Sequence, residues 1–210
     1  MRFTPLTPRR LVIDLADWIV DLPHDHPRVG FDGPDQVGAG ALADAVAERL
    51  GELGRAALRA STDWWWRPAS LRLELGRTDI DMLLRGWVDS AALRRELLDP
   101  LGPDGSGSYL LRLRDPLTDR SVRDERMVAS GRAVLLLDGP FLLVDELPLD
   151  AVVYLQTSRP TLVRALPADR QWWLAAFDRY GVEERPADNA AAVIAYDHPN
   201  APALAWPVER

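Results

Sequence analysis

The chain has 210 residues and 23.4 kDa, enough for one domain that buries roughly 70% of its unfolded surface without a metal or disulfide staple. Its 47% apolar and 27% charged residues fit a globular chain, and a net charge of −7 argues against a nucleic-acid binder. With no cysteine and only His24, His26 and His198, thiol chemistry is excluded and a multi-histidine zinc site is disfavoured.

All 25 basic residues are arginine. That removes Schiff-base chemistry and any lysine clamp on phosphate, so an anion must be held by guanidinium or backbone groups. No apolar run approaches the ~20 residues of a membrane span, and Asp14 and Asp17 interrupt the N-terminus before a signal-peptide core forms. The expectation is a soluble, cytoplasmic protein with a small-molecule partner, no nucleic acid and no membrane. The sequence leaves the oligomeric state open.

Residues 7–22 read as an amphipathic helix, with Thr7 to cap it, Pro8 at the first position and Leu11, Leu15, Trp18, Ile19 and Leu22 on one face. Val29 to Asp32 reads as a short strand. It runs into a glycine-rich turn, Gly33 to Gly40, and then into a helix with Leu42, Val46 and Leu50 at fourfold spacing. Ala56 to Ala60 is a second strand, followed by Asp63 and the Trp64-Trp65-Trp66 run. Residues 79–98 read as one helix, and Gly102 to Gly107 as a loop. Tyr109 to Arg114 alternates as a hairpin arm. Ala133 to Leu137, Ala151 to Leu155 and Ala191 to Tyr196 read as buried strands. Ser158 to Leu166 and Asp169 to Tyr180 read as helices, and the tail is Pro-rich. Buried strands separated by helices predict an α/β fold with a mainly parallel five-stranded sheet flanked by helices, in three layers. The whole of 1–210 is expected to be one domain, with an inserted hairpin near 105–125 and a lid-like helical segment near 158–180.

In such sheets ligands sit at the carboxyl ends of the strands. The segment Gly33-Pro34-Asp35-Gln36-Val37-Gly38-Ala39-Gly40-Ala41 has the strand–turn–helix setting and outer glycine spacing of the phosphate-binding pattern GxxxxGK[ST]. Ala39 stands at the lysine position and Gly40 at the hydroxyl position. Backbone N–H groups and a helix N-terminus can still hold an anion there, but the groups that neutralise terminal phosphates and hold Mg²⁺ are gone. A tight βα turn with no ligand is an equal reading of the glycines. Asp63 at a strand end suits proton abstraction from a hydroxyl, with the tryptophans to stack on a base and Arg67 to meet a phosphate. A capping Asp and a packed aromatic cluster is the plainer reading. Asp138, in Leu137-Asp138-Gly139, suits a magnesium-ordering acid or a simple Asp-Gly turn.

The order of these pieces resembles the uridine kinase family of P-loop phosphotransferases, from about Leu11 to about Pro202. The resemblance rests on Val29-Gly30-Phe31-Asp32-Gly33 with its turn, Asp63-Trp64-Trp65, Asp79 and Asp81 before Trp87, Leu137-Asp138-Gly139, and the closing segment from Ala187-Asp188 to Asp197. It implies ATP- and Mg²⁺-dependent phosphoryl transfer to a nucleoside hydroxyl or a related small molecule. Asp63 would be the base, and Asp138 the strand-end acid and metal ligand. Gly33, Pro34, Asp35, Gly38, Ala39, Gly40 and Ala41 would hold the nucleotide. Trp65, Arg67, Asp79, Tyr109, Arg164 and Arg170 would contact the substrate. Losing one preorganised charge-stabilising donor costs roughly 3–4 kcal/mol in the transition state. The alternative is therefore a kinase-fold protein impaired in catalysis, acting as a ligand-binding or regulatory module.

Overall fold

A computed structural model describes residues 1–207. After the two-residue strand β1 (Thr4–Pro5), the Thr7 side chain accepts from the Arg10 N–H and starts helix α1 (Pro8–Val20). Strand β2 (Arg28–Asp32) is buried along its whole length, as a strand covered on both faces must be. Helix α2 (Ala39–Glu52) follows the glycine turn, and β3 (Ala57–Ser61) follows α2. Strands β4 (Val134–Gly139) and β5 (Ala151–Gln156) complete the centre of the sheet.

The predicted helix over 79–98 is in fact broken. Helix α3 (Ile80–Arg85) stops at Gly86, Asp89 caps a new turn at Ser90–Leu93, and the chain then widens into a π-turn over Arg94–Leu98. The hairpin arm is also discontinuous. Ser108–Tyr109 pairs with Met127–Val128, Arg114–Asp115 pairs with Arg120–Ser121, and Leu110 to Leu113 belongs to neither ladder. Helices α4 (Arg159–Ala165) and α5 (Trp173–Glu183) lead to β6 (Ala192–Ala195), and the tail returns as β7 (Ala203–Ala205).

The sheet order is β1-β7-β6-β5-β2-β4-β3. The five consecutive strands β6-β5-β2-β4-β3 are parallel, as expected, while β7 and β1 add an antiparallel edge beside β6 that the Pro-rich tail did not advertise. Leu11, Leu15 and Ile19 of α1 and Leu42, Val46 and Leu50 of α2 cover one face against Val29, Phe31, Val134 and Leu136. Each of these fully buried side chains contributes roughly 2 kcal/mol by burial. The other face packs against Leu93, Leu97 and Leu98 on one side and the aromatic residues of α5 on the other.

At the amino ends of the strands, buried Arg28 donates through Nε and Nη2 to the two oxygens of Asp150 and through Nη1 to the Leu98 carbonyl. This clamp sets the start of β2 beside β5. The register then carries to the opposite end, where the functional candidates lie.

Candidate functional site at the carboxyl ends of the strands

The parallel register places Asp138 opposite Phe31 on one side and Ser61 on the other, on the sheet face covered by α2. Asp32 stands opposite Gly139 and Tyr154, one residue along. Successive side chains of a strand point to opposite faces, so Asp138 and Asp32 serve two different sites.

On the α2 face the glycine turn is drawn in on itself. Residues Asp35–Val37 form one 3-10 turn, with Val37 N–H donating to the Pro34 carbonyl at 3.0 Å and Gly38 N–H to Asp35 at 2.8 Å. Gly38 takes a left-handed φ of 100°, which a side chain would resist, and so turns the chain into α2. Two N–H groups that an open loop would offer to an anion are therefore spent internally. The Asp35 carboxylate lies against the start of α2, where a Cβ on Gly40 would come 2.7 Å from its Oδ1 and 3.5 Å from Asp138 Oδ2. Asp138 is tied to Arg59, whose Nη2 donates to its Oδ1 at 2.7 Å while Nη1 donates to the Leu136 carbonyl at 2.7 Å. Desolvation raises the Asp138 pKa above the ordinary carboxylate value, against the pull of Arg59. Burial likewise raises Asp63 to about 6, with Arg170 drawing it down and Asp138 and Asp35 pushing it up. The hollow among Asp35, Asp63, Asp138 and Arg170 holds about 10 Å³, about the least that admits one water.

These residues do not fit a magnesium–nucleotide complex. On the spacing of the phosphate-binding pattern, the lysine position falls on the fully buried Ala39 and the hydroxyl position on Gly40, and the Asp138 carboxylate is already paired with the Arg59 guanidinium. Asp35 and Asp63 line the same hollow as Asp138, so its carboxylates outnumber the one guanidinium, Arg170, that lines it with them. Among the described residues no group of three or more acidic or histidine side chains is arranged to hold a metal ion.

Of the other sequence candidates, Arg170 reaches this hollow, while Arg67 and Arg164 do not line it. Arg164 is exposed and donates to the Thr161 hydroxyl at 2.8 Å. Asp79 caps α3, its Oδ1 accepting from Met82 N–H at 2.8 Å. Trp65 and Tyr109 correct the expectation of substrate contact. Both are buried in the core cluster with Leu93, Leu97 and Leu135, because the short 3-10 turn at Thr62–Trp65 directs Trp65 inward.

The tryptophan-rich region packs on itself. Trp87 lies edge-on to Trp66 at 5.2 Å and to Trp173 at 5.4 Å. The Arg72 guanidinium sits 4.9 Å from the centres of both Trp66 and Trp87, and Arg170 sits 4.9 Å from Trp173. About 30 Å³ remains between Trp66, Trp87, Trp173 and Phe141. Trp173 also borders the Asp63 hollow, and its buried indole N–H has no acceptor.

Sequence reasoning missed Arg59, Arg72, Asp32, Tyr154 and Tyr180. On the face opposite Asp138, Asp32 is buried. Its Oδ1 accepts from Phe141 N–H at 2.9 Å and its Oδ2 accepts from the Tyr180 hydroxyl. Desolvation raises its pKa to about 7, and the hydrogen bonds from Tyr180, Leu142 and Phe141 only partly offset this. Tyr154, beside it in the register, is itself pushed up to about 12 by burial and by Asp32.

This α/β architecture, a mainly parallel sheet between layers of helices, is shared with solved structures of other proteins. The chain is similar to a possible uridine kinase from Bacillus stearothermophilus, with a TM-score of 0.72 and 21% identity over 88% of this chain and 97% of that one. It is also similar to the YGR205w protein, with a TM-score of 0.62 and 13% identity over 97% and 100% of the two chains. A third likeness is to a candidate fructose transport system kinase from Silicibacter sp. TM1040, with a TM-score of 0.58 and 16% identity over 87% and 86%. No protein-family model matches the sequence, and no curated protein matches it. At these identities the likeness is one of fold. Among the described residues no helix is long and apolar enough to cross a membrane.

Proposed function

We propose that this protein is a kinase-fold binding module for a small molecule, in which the phosphate cradle has closed on its own carboxylates. The observation that carries this reading is the pair of internal substitutes at the turn: the Asp35 carboxylate against Gly40, and Arg59 on Asp138. An anion entering there must displace a like charge from a hollow with room for about one water. The acidic net charge supports a small-molecule ligand rather than nucleic acid, and a cytoplasmic setting belongs to the same proposal.

A second reading, transfer of a phosphoryl group to a nucleoside or other small hydroxyl compound, is favoured by Asp63. Its carboxyl is raised to about 6, near the optimum for a base at neutral pH, and Arg170 stands beside it. The test is phosphorus NMR of the protein with uridine, cytidine and fructose in the presence of MgATP. The module reading expects no phosphorylated product over an overnight incubation. Stoichiometric excess of product over protein, abolished by Asp63→Asn, establishes the second reading instead.

A further inference from the structure

A cavity of about 250 Å³ opens between the ends of β2 and β5 and the helices α4 and α5. It lies on the Asp32 face, and of the glycine turn only Gly33 and Pro34 line it. Its floor is Asp32 with Tyr154 and Tyr180, its wall is Phe177, and its mouth is flanked by Arg159 and Asp178. It is somewhat smaller than the ~300 Å³ at which drug-sized sites begin, which suits a ligand of one ring with a short arm.

The charges select the ligand. Arg159 and Asp178 are paired with each other across the mouth. That leaves the Asp32 carboxyl facing the cavity without a cation of its own. Every group packed on it is neutral: the Tyr180 hydroxyl from α5, Tyr154 from β5, and backbone N–H groups from Phe141 and Leu142 after β4. A buried carboxyl beside aromatic rings, behind an entrance whose charges cancel, is complementary to an ammonium group. The carboxyl supplies the counter-charge and the ring faces supply cation–π attraction.

We propose that this cavity binds a small organic amine in its ammonium form, with Asp32 as counter-ion and Tyr154, Phe177 and Tyr180 as its aromatic wall. No bond is made or broken except one O–H. The neutral Asp32 carboxyl loses its proton to solvent as the ammonium enters, and the bound pair is carboxylate and ammonium. Binding therefore strengthens with pH. With Asp32 raised to about 7, its ionised fraction grows about tenfold between about pH 6 and about pH 8, and so does the affinity for a ligand that stays protonated throughout. The proposal stands apart from the closed-cradle reading, which is judged by phosphoryl transfer and not by amine binding.

The experiment is calorimetric titration of the full chain with benzylamine, benzyl alcohol and benzoate as probes of one shape and three charges. Benzylamine is expected to bind, about tenfold more tightly at the higher pH and with proton release seen as a buffer-dependent heat. Benzyl alcohol is expected to bind at least tenfold more weakly, and benzoate not at all. Asp32→Asn removes the pH dependence. Gly181→Leu provides a control that does not touch the buried carboxyl. Gly181 borders the cavity with open space around its Cβ position, so a leucine is accommodated without a clash and adds apolar bulk at the cavity's edge. That variant is expected to bind benzylamine more weakly while keeping its unfolding temperature. The proposal is overturned if benzylamine fails to bind, if the alcohol or benzoate binds as tightly, if the affinity is flat with pH, or if a folded Gly181→Leu protein binds unchanged.

Discussion

Replacing Asp32 with Asn should make the protein more stable in mild alkali. The wild-type carboxyl has its pKa raised from 3.8 to about 7 by desolvation. Between those values the folded state holds more protons than the unfolded state, so stability is fully present below the lower value and falls as pH rises through the upper one. About three units correspond to about 4 kcal/mol lost across that window. Asn cannot ionise, and its carbonyl oxygen can keep the bond from the Phe141 N–H, at the expense of one hydrogen bond from Tyr180 worth about 1–2 kcal/mol. The net expectation is a variant about 2–3 kcal/mol more stable than wild type at about pH 8.5, and within about 1 kcal/mol of it at about pH 5. At 2–4 °C per kcal/mol for a chain of this size, the alkaline gain is roughly 4–12 °C in Tm. Urea unfolding of both proteins at the two pH values measures it. Asp63 and Asp138 are raised too and titrate in both proteins, so the difference between the two curves isolates Asp32. Parallel pH profiles for the two proteins would refute the reasoning, because Asp32 would then be ordinary in the folded state.

Arg59→Ala leaves Asp138 buried without its cation and breaks the bond to the Leu136 carbonyl, so a loss of about 2–4 kcal/mol is expected. Desolvation of Asp138 is then opposed only by its hydrogen bond with Ser61, and the loss should be larger at pH 8 than at pH 5; urea unfolding at both pH values checks it. Gly139→Ala places a Cβ at φ 152° and directly into the Thr62 side chain. It should cost more than about 3 kcal/mol, read by thermal unfolding. Adding Thr62→Ala should recover only part of that, because the backbone angle still disfavours a side chain.

The central architecture was legible because parallel strands covered on both faces read as unbroken apolar runs, and Val134 to Leu137 and Ala151 to Leu155 do so. Helix α1 was legible from Thr7 and Pro8, whose chemistry is local. The break in 79–98 had a signal in Gly86 and the capping residue Asp89, but the apolar spacing of Leu84, Trp87 and Ala91 runs straight across it. Strand β7 had no such signal. It is three residues, two of them alanine, and it exists because the exposed edge of β6 pairs with it.

The position of the glycine turn was also readable, since a strand, a turn and a helix are consecutive in the chain. Its closure was not, because Arg59 comes from a different strand and Asp35 turns back against Gly40 only in three dimensions. The tryptophan run suggested a ligand platform for the same reason. Its partners Trp87, Trp173, Arg72 and Arg170 are spread over more of the chain than any local pattern spans. The Asp32 site depends on register, which sets Tyr154 beside it, and on α5, which brings Tyr180 down to it. Its one local sign was an acidic residue closing a buried strand immediately before a glycine.

Titration of the protein with inorganic pyrophosphate, with and without magnesium, tests the closed cradle most directly. Pyrophosphate fills the place of the two terminal phosphates and makes no use of a base or acceptor pocket. With Asp35 against Gly40 and Arg59 holding Asp138, the heat should be indistinguishable from dilution up to millimolar concentration. Saturable binding in the micromolar range, weakened by replacing Gly38 or Gly40 with a bulky residue, would show that the turn opens to polyphosphate after all.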